Sequence, residues 1–354
     1  MNWDMQNTSV MLLGAGFSAA ATDGKMPLMK GYFDRLSQGQ HPALFDFVSE
    51  VGCNQKCALI QDANVENVLL TLEQMKTAPE AMFCGSMKRH FINSSVIEQE
   101  LIDYTLERLK GTLDVDDSNW AAQLLAECGA DTTIISMNYD NIAERVLSAR
   151  KGLSHYGHKP SCPHCRMRLL LELACSCSQR NSDFGDLWRG IVLKPHGSIA
   201  WKRCNSPDCC MYNCLVADAH CQPFDRCVCN NCNLECSPVL VMPTMSKNYG
   251  HIKEIATMWK AMYQAIVHAE SILLFGFSVP MSDELLIQQV RAAISEKKRL
   301  QVVGSIDINP EAVLDRFKLC LPTGLQVQQK LFPVVPWEIP IWVPEFSAEF
   351  VENG

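Results

Sequence analysis

Apolar positions along the chain recur with two periods. Five short runs are mostly apolar or β-branched: Ser9-Val10-Met11-Leu12-Leu13, Thr132-Thr133-Ile134-Ile135-Ser136, Ile191-Val192-Leu193-Lys194, Ser271 to Phe275, and Leu300 to Ile306. Runs this short, each closed by a glycine or polar turn, predict buried strands. Between them the spacing is helical. Val65, Val68, Leu69 and Leu72 follow Asn64, a residue suited to capping, and Trp120, Leu124 and Cys128 precede a stop at Gly129, so 33–129 reads as mostly helix. Further on, Ile252, Ile255, Ala256, Trp259, Tyr263 and Ile266 share one helix face, and Leu286, Val290, Ala293 and Ile294 point inward from a helix after Ser282. Buried strands alternating with helices predict an α/β fold, a Rossmann-like parallel sheet with helices on both faces.

Each predicted strand runs into a polar motif. In chain order these are Gly14-Ala15-Gly16-Phe17-Ser18, Met137-Asn138-Tyr139-Asp140, Pro195-His196-Gly197-Ser198, Gly276-Phe277-Ser278 and Asp307-Ile308-Asn309-Pro310. Parallel sheets bind ligands at the carboxyl ends of their strands, so the five motifs are placed to converge on one crevice. The two glycines of the first motif let backbone approach a diphosphate, although the third glycine of the common dinucleotide fingerprint is missing. Structural alternatives exist for several of these residues. Asn138 suits a helix cap, His196 a turn, and Asp307 a cap shared with Asn309. Trp259 and Tyr263 read as core rather than as a platform for a base.

The remaining features narrow the class of protein. A length of 354 residues suits one large α/β domain with an inserted module. The net charge of −8 and the lack of a basic run argue against nucleic-acid binding. The first residues lack a signal-peptide pattern and no apolar stretch is long enough for a membrane span, so a cytoplasmic location is expected. Thirteen of the 18 cysteines lie between Cys162 and Cys236. In a reducing compartment such clustering points to metal rather than to disulfides. Cys162-Pro163-His164-Cys165 and Cys229-Asn230-Asn231-Cys232 have the two-residue spacing that sets two thiolates on one ion.

Taken in order, the five motifs resemble the NAD-binding motifs of the sirtuin superfamily. The resemblance covers nearly the whole chain, apart from the helical stretch and parts of the cysteine-rich module. It is strongest toward the divergent sirtuin-like proteins of prokaryotic anti-phage defence, many of them NAD hydrolases. Asn64-Val65-Glu66-Asn67-Val68-Leu69, Met242-Pro243-Thr244-Met245-Ser246-Lys247 and the segment Gly276 to Asp283 look like that branch. The resemblance implies that Gly14, Ala15, Gly16 and Ser18 cradle the diphosphate and that Asn138 and Asp140 line the nicotinamide-ribose pocket. It implies that His196 is the catalytic histidine, that Gly276 and Ser278 support the phosphate and the adenine-side ribose, and that Asp307 and Asn309 lie near the adenosine. An acidic side chain at a strand end accepts both ribose hydroxyls and repels a 2′-phosphate, which favours NAD over NADP.

The implied domains are 1–160 with 237–354 for NAD binding, with 34–130 a helical insertion. A zinc module at 161–236 is interrupted by a core strand and catalytic loop at 190–201. Sirtuins carry a four-cysteine structural zinc after the catalytic His-Gly. By that likeness the first site takes Cys204, Cys209 (or Cys210), Cys229 and Cys232. The remaining cysteines exceed the sirtuin pattern, and Cys162 and Cys165 with Cys175 and Cys177 suffice for a second site. Cys214, Cys221, Cys227 and Cys236 suffice for a third. Complete thiolate coordination leaves no open position, so the zinc is a staple and not a catalyst.

Three functions follow from the resemblance: an NAD hydrolase, an NAD-dependent protein deacylase, and a non-catalytic NAD-binding subunit. Sirtuin deacylases mark their peptide groove with an apolar-Phe-Gly-Glu segment, which Val239-Leu240-Val241-Met242-Pro243-Thr244 lacks. The non-catalytic reading expects loss of Asn138 or His196, and both are present. Because an ungated NAD hydrolase would kill its own cell, control by homo-oligomer assembly or by a regulatory partner subunit is expected.

Overall fold

The computed structural model describes residues 9–26, 28, 31–54, 59–110, 115–116, 118–128, 132–151, 192–204, 206–209, 215–217, 227–229, 231–240, 253–280, 283–297 and 299–334. The chain divides into two compact units. One joins Met1–Gly24, Leu113–Val241 and Asn248–Gly354, and the other joins Lys25–Thr112 and Met242–Lys247.

The larger unit is built on a six-stranded parallel sheet. Its strands are β1 (Ser9–Leu13), β2 (Thr132–Ser136), β3 (Val192–Leu193), β7 (Ser271–Phe275), β8 (Val302–Asp307) and β9 (Gln328–Pro333), in the order β3-β2-β1-β7-β8-β9. From β1 the chain first builds outward through β2 and β3, then through β7, β8 and β9 on the other side. The switch point of this Rossmann-like sheet therefore lies between β1 and β7. Successive strand residues serve opposite faces, as the pleat requires. Val10, Leu12, Ile135, Ile272, Leu274 and Val303 join a core with α8 (Lys253–His268), α9 (Glu284–Lys297) and α10 (Pro310–Phe317). On the other face, Phe275 meets Phe17 edge-on at 5.1 Å and stacks on Trp120 at 5.7 Å, covered by α1 (Ala15–Ala21) and α6 (Trp120–Cys128). Asn119 caps α6 through its carbonyl and ties it to Ala20 O and Asp23 through its amide.

A second sheet is antiparallel, β5 (Leu215–Ala217), β4 (Gly197–Arg203) and β6 (Ser237–Leu240), in the order β5-β4-β6. β4 leaves the His196 loop directly, so this sheet carries the chain from the parallel sheet to the cysteine cluster.

The smaller unit is helical, with α2 (Pro42–Asn54), α3 (Val65–Thr77), α4 (Gly85–Ile92) and α5 (Ser94–Lys110). It has its own core of Phe33, Leu44, Phe47, Val68, Leu69 and Leu101. Asn64 Oδ1 accepts the Asn67 N–H at 3.3 Å, so the expected cap of α3 is present.

Departures from the sequence pattern have simple causes. Ala256, expected inward, is exposed, because a small side chain contributes little to the apolar stripe. The strand expected at Leu300–Ile306 starts at Val302 and includes Asp307. β9 carries alternating exposed positions and no apolar run, so its strand character comes only from pairing with β8. The segment Met242 to Lys247 lies outside the described residues.

Candidate functional site

The five motifs do stand at the carboxyl ends of β1, β2, β3, β7 and β8. At the switch point, the first and fourth motifs interlock backbone to backbone. Gly14 N donates to Phe275 O at 3.1 Å, and Gly16 N to Gly276 O at 3.0 Å. A Cβ on Gly14 would lie 2.4 Å from Gly276 O, and one on Gly16 2.7 Å from Gly276 Cα. Gly276 has φ +56°, and its Cβ would lie 2.2 Å from Phe17 N. All three positions must be glycine because two loops share the space of one. Beyond this contact Ser278 is exposed, while Val279 is buried with φ +51°, an uncommon conformation for a β-branched residue.

Next to the switch point a polar network joins β1 to β2. Asn138 Nδ2 donates to Gly14 O at 2.8 Å and to Ser18 Oγ at 2.7 Å. Ser18 Oγ in turn donates to Asp140 Oδ2 at 2.7 Å, and Asp140 Oδ1 accepts the Ile142 N–H at the start of α7 (Ile142–Lys151). Asp140 therefore supplies the side-chain bond at the start of α7, and Asn138 holds the glycine turn. Ser18 and Asp140 are buried and bonded to each other, whereas Asn138 is half-buried and its Oδ1 has no partner among the described residues. Both donors of the amide are thus fixed by the neighbouring loop.

Beneath the third motif sits Lys194, fully buried at the end of β3. Its Nζ lies 3.3 Å from Glu144 Oε1 on α7 and donates to the Asp140 carbonyl. Burial of an ammonium is tolerable only with such partners. The pair joins the His196 loop to the Asn138 loop from below, and the Ile199 N–H adds a 2.8 Å bond to Tyr139 O. The loop itself is held on both sides of His196. Trp259 Nε1 donates to Pro195 O at 3.1 Å, and Gly197 adopts φ +82° where a Cβ would lie 2.2 Å from Val239 O. Trp259 is buried in the core and braces the loop.

His196 is 3% exposed, and its Nε2 lies 3.6 Å from Oδ1 of buried Asp283. Lys194, Glu144 and Asp283 were not among the residues expected from sequence. A lysine closing an apolar strand is a visible anomaly, but its partner on α7 has no signal in the sequence.

At the end of β8, Asp307 is half-buried and accepts the Asn309 N–H at 3.0 Å. Asn309 is exposed, and its side chain caps α10 by accepting the Ala312 N–H at 3.2 Å, with Pro310 following. Asn309 is thereby committed to its helix. Ala15 and Gly276 are half-buried at the mouth of the switch point.

The cysteine cluster brings together Cys204, Cys209, Cys229 and Cys232, whose sulfurs all lie within 4.8 Å of one another. Cys204 to Cys232 measures 3.6 Å and Cys209 to Cys229 measures 3.9 Å. Four thiolates about 2.3 Å from a tetrahedral zinc have sulfurs about 3.8 Å apart, so the set fits the ion. The backbone N–H groups of Asn231 and Cys232 hold the Cys229 thiol down to about 7. Asn231 Nδ2 also donates to Cys209 Sγ at 3.2 Å, and Asn233 turns the knuckle with φ +58°. Zinc bound here would supply folding free energy and no catalytic position. Cys227 and Cys236 pack against this set, whereas Cys162, Cys165, Cys175, Cys177, Cys210, Cys214 and Cys221 lie outside the described residues.

No protein-family model matches the chain, and no curated protein does. Among solved structures, the chain is similar to one described as the structural basis for the mechanism and regulation of Sir2 enzymes. There the TM-score is 0.46 at 13% identity, over 99% of this chain and 94% of that one. A second, described as a Sir2 with a deacetylated peptide and an acetyl ADP ribose, gives 0.42 at 14% identity, over 99% and 95%. A third, described as the structural basis for sirtuin substrate affinity, gives 0.34 at 12% identity, over 99% and 95%. Among the described residues no helix is long and apolar enough to cross a membrane.

Proposed function

We propose that the chain binds NAD across the ends of β1, β2, β3, β7 and β8 and hydrolyses its nicotinamide–ribose bond, giving nicotinamide and ADP-ribose. The observation that carries this reading is the Asn138 amide. It is held by Gly14 O and Ser18 Oγ at the switch point, with its acceptor available and the His196 loop tied to the same β2 turn. Nicotinamide leaves as a neutral molecule, so the reaction needs no strong general acid. It needs an oriented nucleophile and a base for its proton. Asn138 Oδ1 orients the water or ribose hydroxyl, and His196 takes the proton. Ala15 and the glycine turn face the diphosphate, Ser18 and Asp140 act by holding Asn138, and Gly276 with Ser278 borders the adenine-side ribose. Asp307 accepts the adenosine ribose hydroxyls, beside the Asn309 cap.

Asn138→Ala and His196→Ala should each abolish nicotinamide release, read by chromatography with far-UV spectra confirming the fold. Normal turnover in either variant removes that residue from the chemistry. NAD mixed with protein alone separates the two enzymatic readings. Free ADP-ribose supports the hydrolase, whereas turnover only with an acyl-lysine peptide supports the deacylase. A role in prokaryotic anti-phage defence, a cytoplasmic location and gating by a homo-oligomer or a regulatory partner belong to this same reading and rest on the sequence resemblance. Sedimentation tests the gating: a strictly monomeric, fully active chain overturns it.

A further inference from the structure

We propose that Asp283 is the positioning residue that sets the orientation and charge of His196, so that the two work as a buried carboxylate–imidazole pair. The proposal deepens the functional reading above and rests on His196 being the base of NAD cleavage.

The His196 backbone is already fixed by the Trp259 bond to Pro195 O and by the Gly197 turn against Val239. Those contacts act on the backbone, whereas Asp283 acts on the ring itself. Its Oδ1 lies 3.6 Å from His196 Nε2, an ion-pair distance, with the two side chains 5% and 3% exposed. At such burial a carboxylate strongly favours the protonated ring of a neighbouring imidazole. The contact is made at Nε2, so the carboxylate acts on that nitrogen of the ring.

The way the chain delivers Asp283 is consistent with a demanding position. The segment leaves β7 through Gly276 at φ +56° and passes through Val279, which is buried with φ +51°. It then closes a turn in which the Asp283 N–H donates to Pro280 O at 3.0 Å, at the entrance to α9. A β-branched residue in the left-handed region is strained and persists where the surroundings require it. The amino end of the 14-residue α9 favours a negative charge at this point.

The other groups around the ring do not compete among the described residues. From the β2 turn comes Tyr139, its ring centred 6.5 Å away, and from α8 the untitratable indole of Trp259 at 6.3 Å. Lys194, on the same loop as His196, directs its ammonium to Glu144 and the Asp140 carbonyl. Among the described residues, Asp283 is thus the carboxylate that faces the imidazole.

The test is the titration of the His196 ring by NMR in full-length protein, wild type against Asp283→Asn, together with steady-state NAD cleavage across pH. The variant keeps the shape and removes the charge. The His196 midpoint should fall by about one pH unit or more. The kcat should drop about 100-fold with little change in KM, and the rising limb of its pH profile should move down with the midpoint. Asp283→Glu, which retains the charge, should keep the midpoint within about half a unit and recover part of the activity, which a merely structural role would not produce. If Asp283→Asn does not fold, the midpoint and activity of Asp283→Glu against the wild type decide. An unchanged His196 midpoint in Asp283→Asn, or equal losses in the Asn and Glu variants, overturns the pairing. If the wild type cleaves no NAD, the functional reading fails while the ring titration still judges the pair.

Discussion

Gly276 illustrates how one residue type can be required twice over, by its backbone angle and by the atoms around it. An alanine there takes on a left-handed conformation costing about 1–2 kcal/mol and a backbone clash costing about 1–3 kcal/mol. Urea unfolding of Gly276→Ala should therefore show a loss of about 3 kcal/mol. Gly324, with φ +82° and nothing within 4 Å of an added methyl group, is the control and should lose only the conformational part. Lys194 and Glu144 make the same point in charge. Lys194→Met strands a buried carboxylate and should cost about 3–5 kcal/mol, whereas adding Glu144→Leu should recover much of the loss. A double variant no better than the single would show that the Asp140 carbonyl contact, not the ion pair, is what matters.

Single elements separate binding from capping. Asn309 closes the start of α10, so Asn309→Ala should cost about 1 kcal/mol in stability and leave NAD affinity nearly unchanged. Asp307→Ala, by contrast, should raise the KM for NAD at constant kcat, because the ribose contact proposed for it is remote from the scissile bond. Equal effects of the two changes would assign Asp307 to the helix as well. In the helical unit, Glu50 on α2 holds Ser86 and His90 on α4, the latter at 3.0 Å. The Ser86 hydroxyl bond, then the His90 contact, keep the Glu50 carboxyl below its ordinary range despite some desolvation. Its folded value being depressed, the stabilisation is complete above the ordinary carboxylate value and is lost as pH falls through the folded value. Glu50→Gln should remove that part of the acid-limb loss in thermal unfolding measured against pH.

At the scale of the whole molecule, the cysteine cluster at the far end of β4 and β6 has the geometry of a structural zinc site. Protein purified under reducing conditions should carry at least one zinc per chain, and a strong chelator should unfold or aggregate it. Metal-free protein that melts as the holoprotein does would refute the staple. The strands β1, β2 and β7, the caps at Asn64 and Asn309 and the cluster of motifs at strand ends were legible in the chain, because each depends on side-chain type and local spacing. The resemblance grouped Cys204, Cys229 and Cys232 with Cys209 or Cys210, and the fold brings the sulfurs of Cys204, Cys209, Cys229 and Cys232 together. By contrast, β9 and the pairings of Lys194 with Glu144 and of Asp283 with His196 carried no local signal. β9 has no apolar run and is a strand only because β8 offers it hydrogen bonds. The two charged pairs join residues 50 and 87 positions apart in sequence. Local periodicity by itself determined a parallel α/β sheet with polar loops at one end and a thiol-rich module. Only the tertiary structure decided which loops interlock, which glycines meet another backbone, and which charges are buried together, because those depend on atoms brought close by the fold.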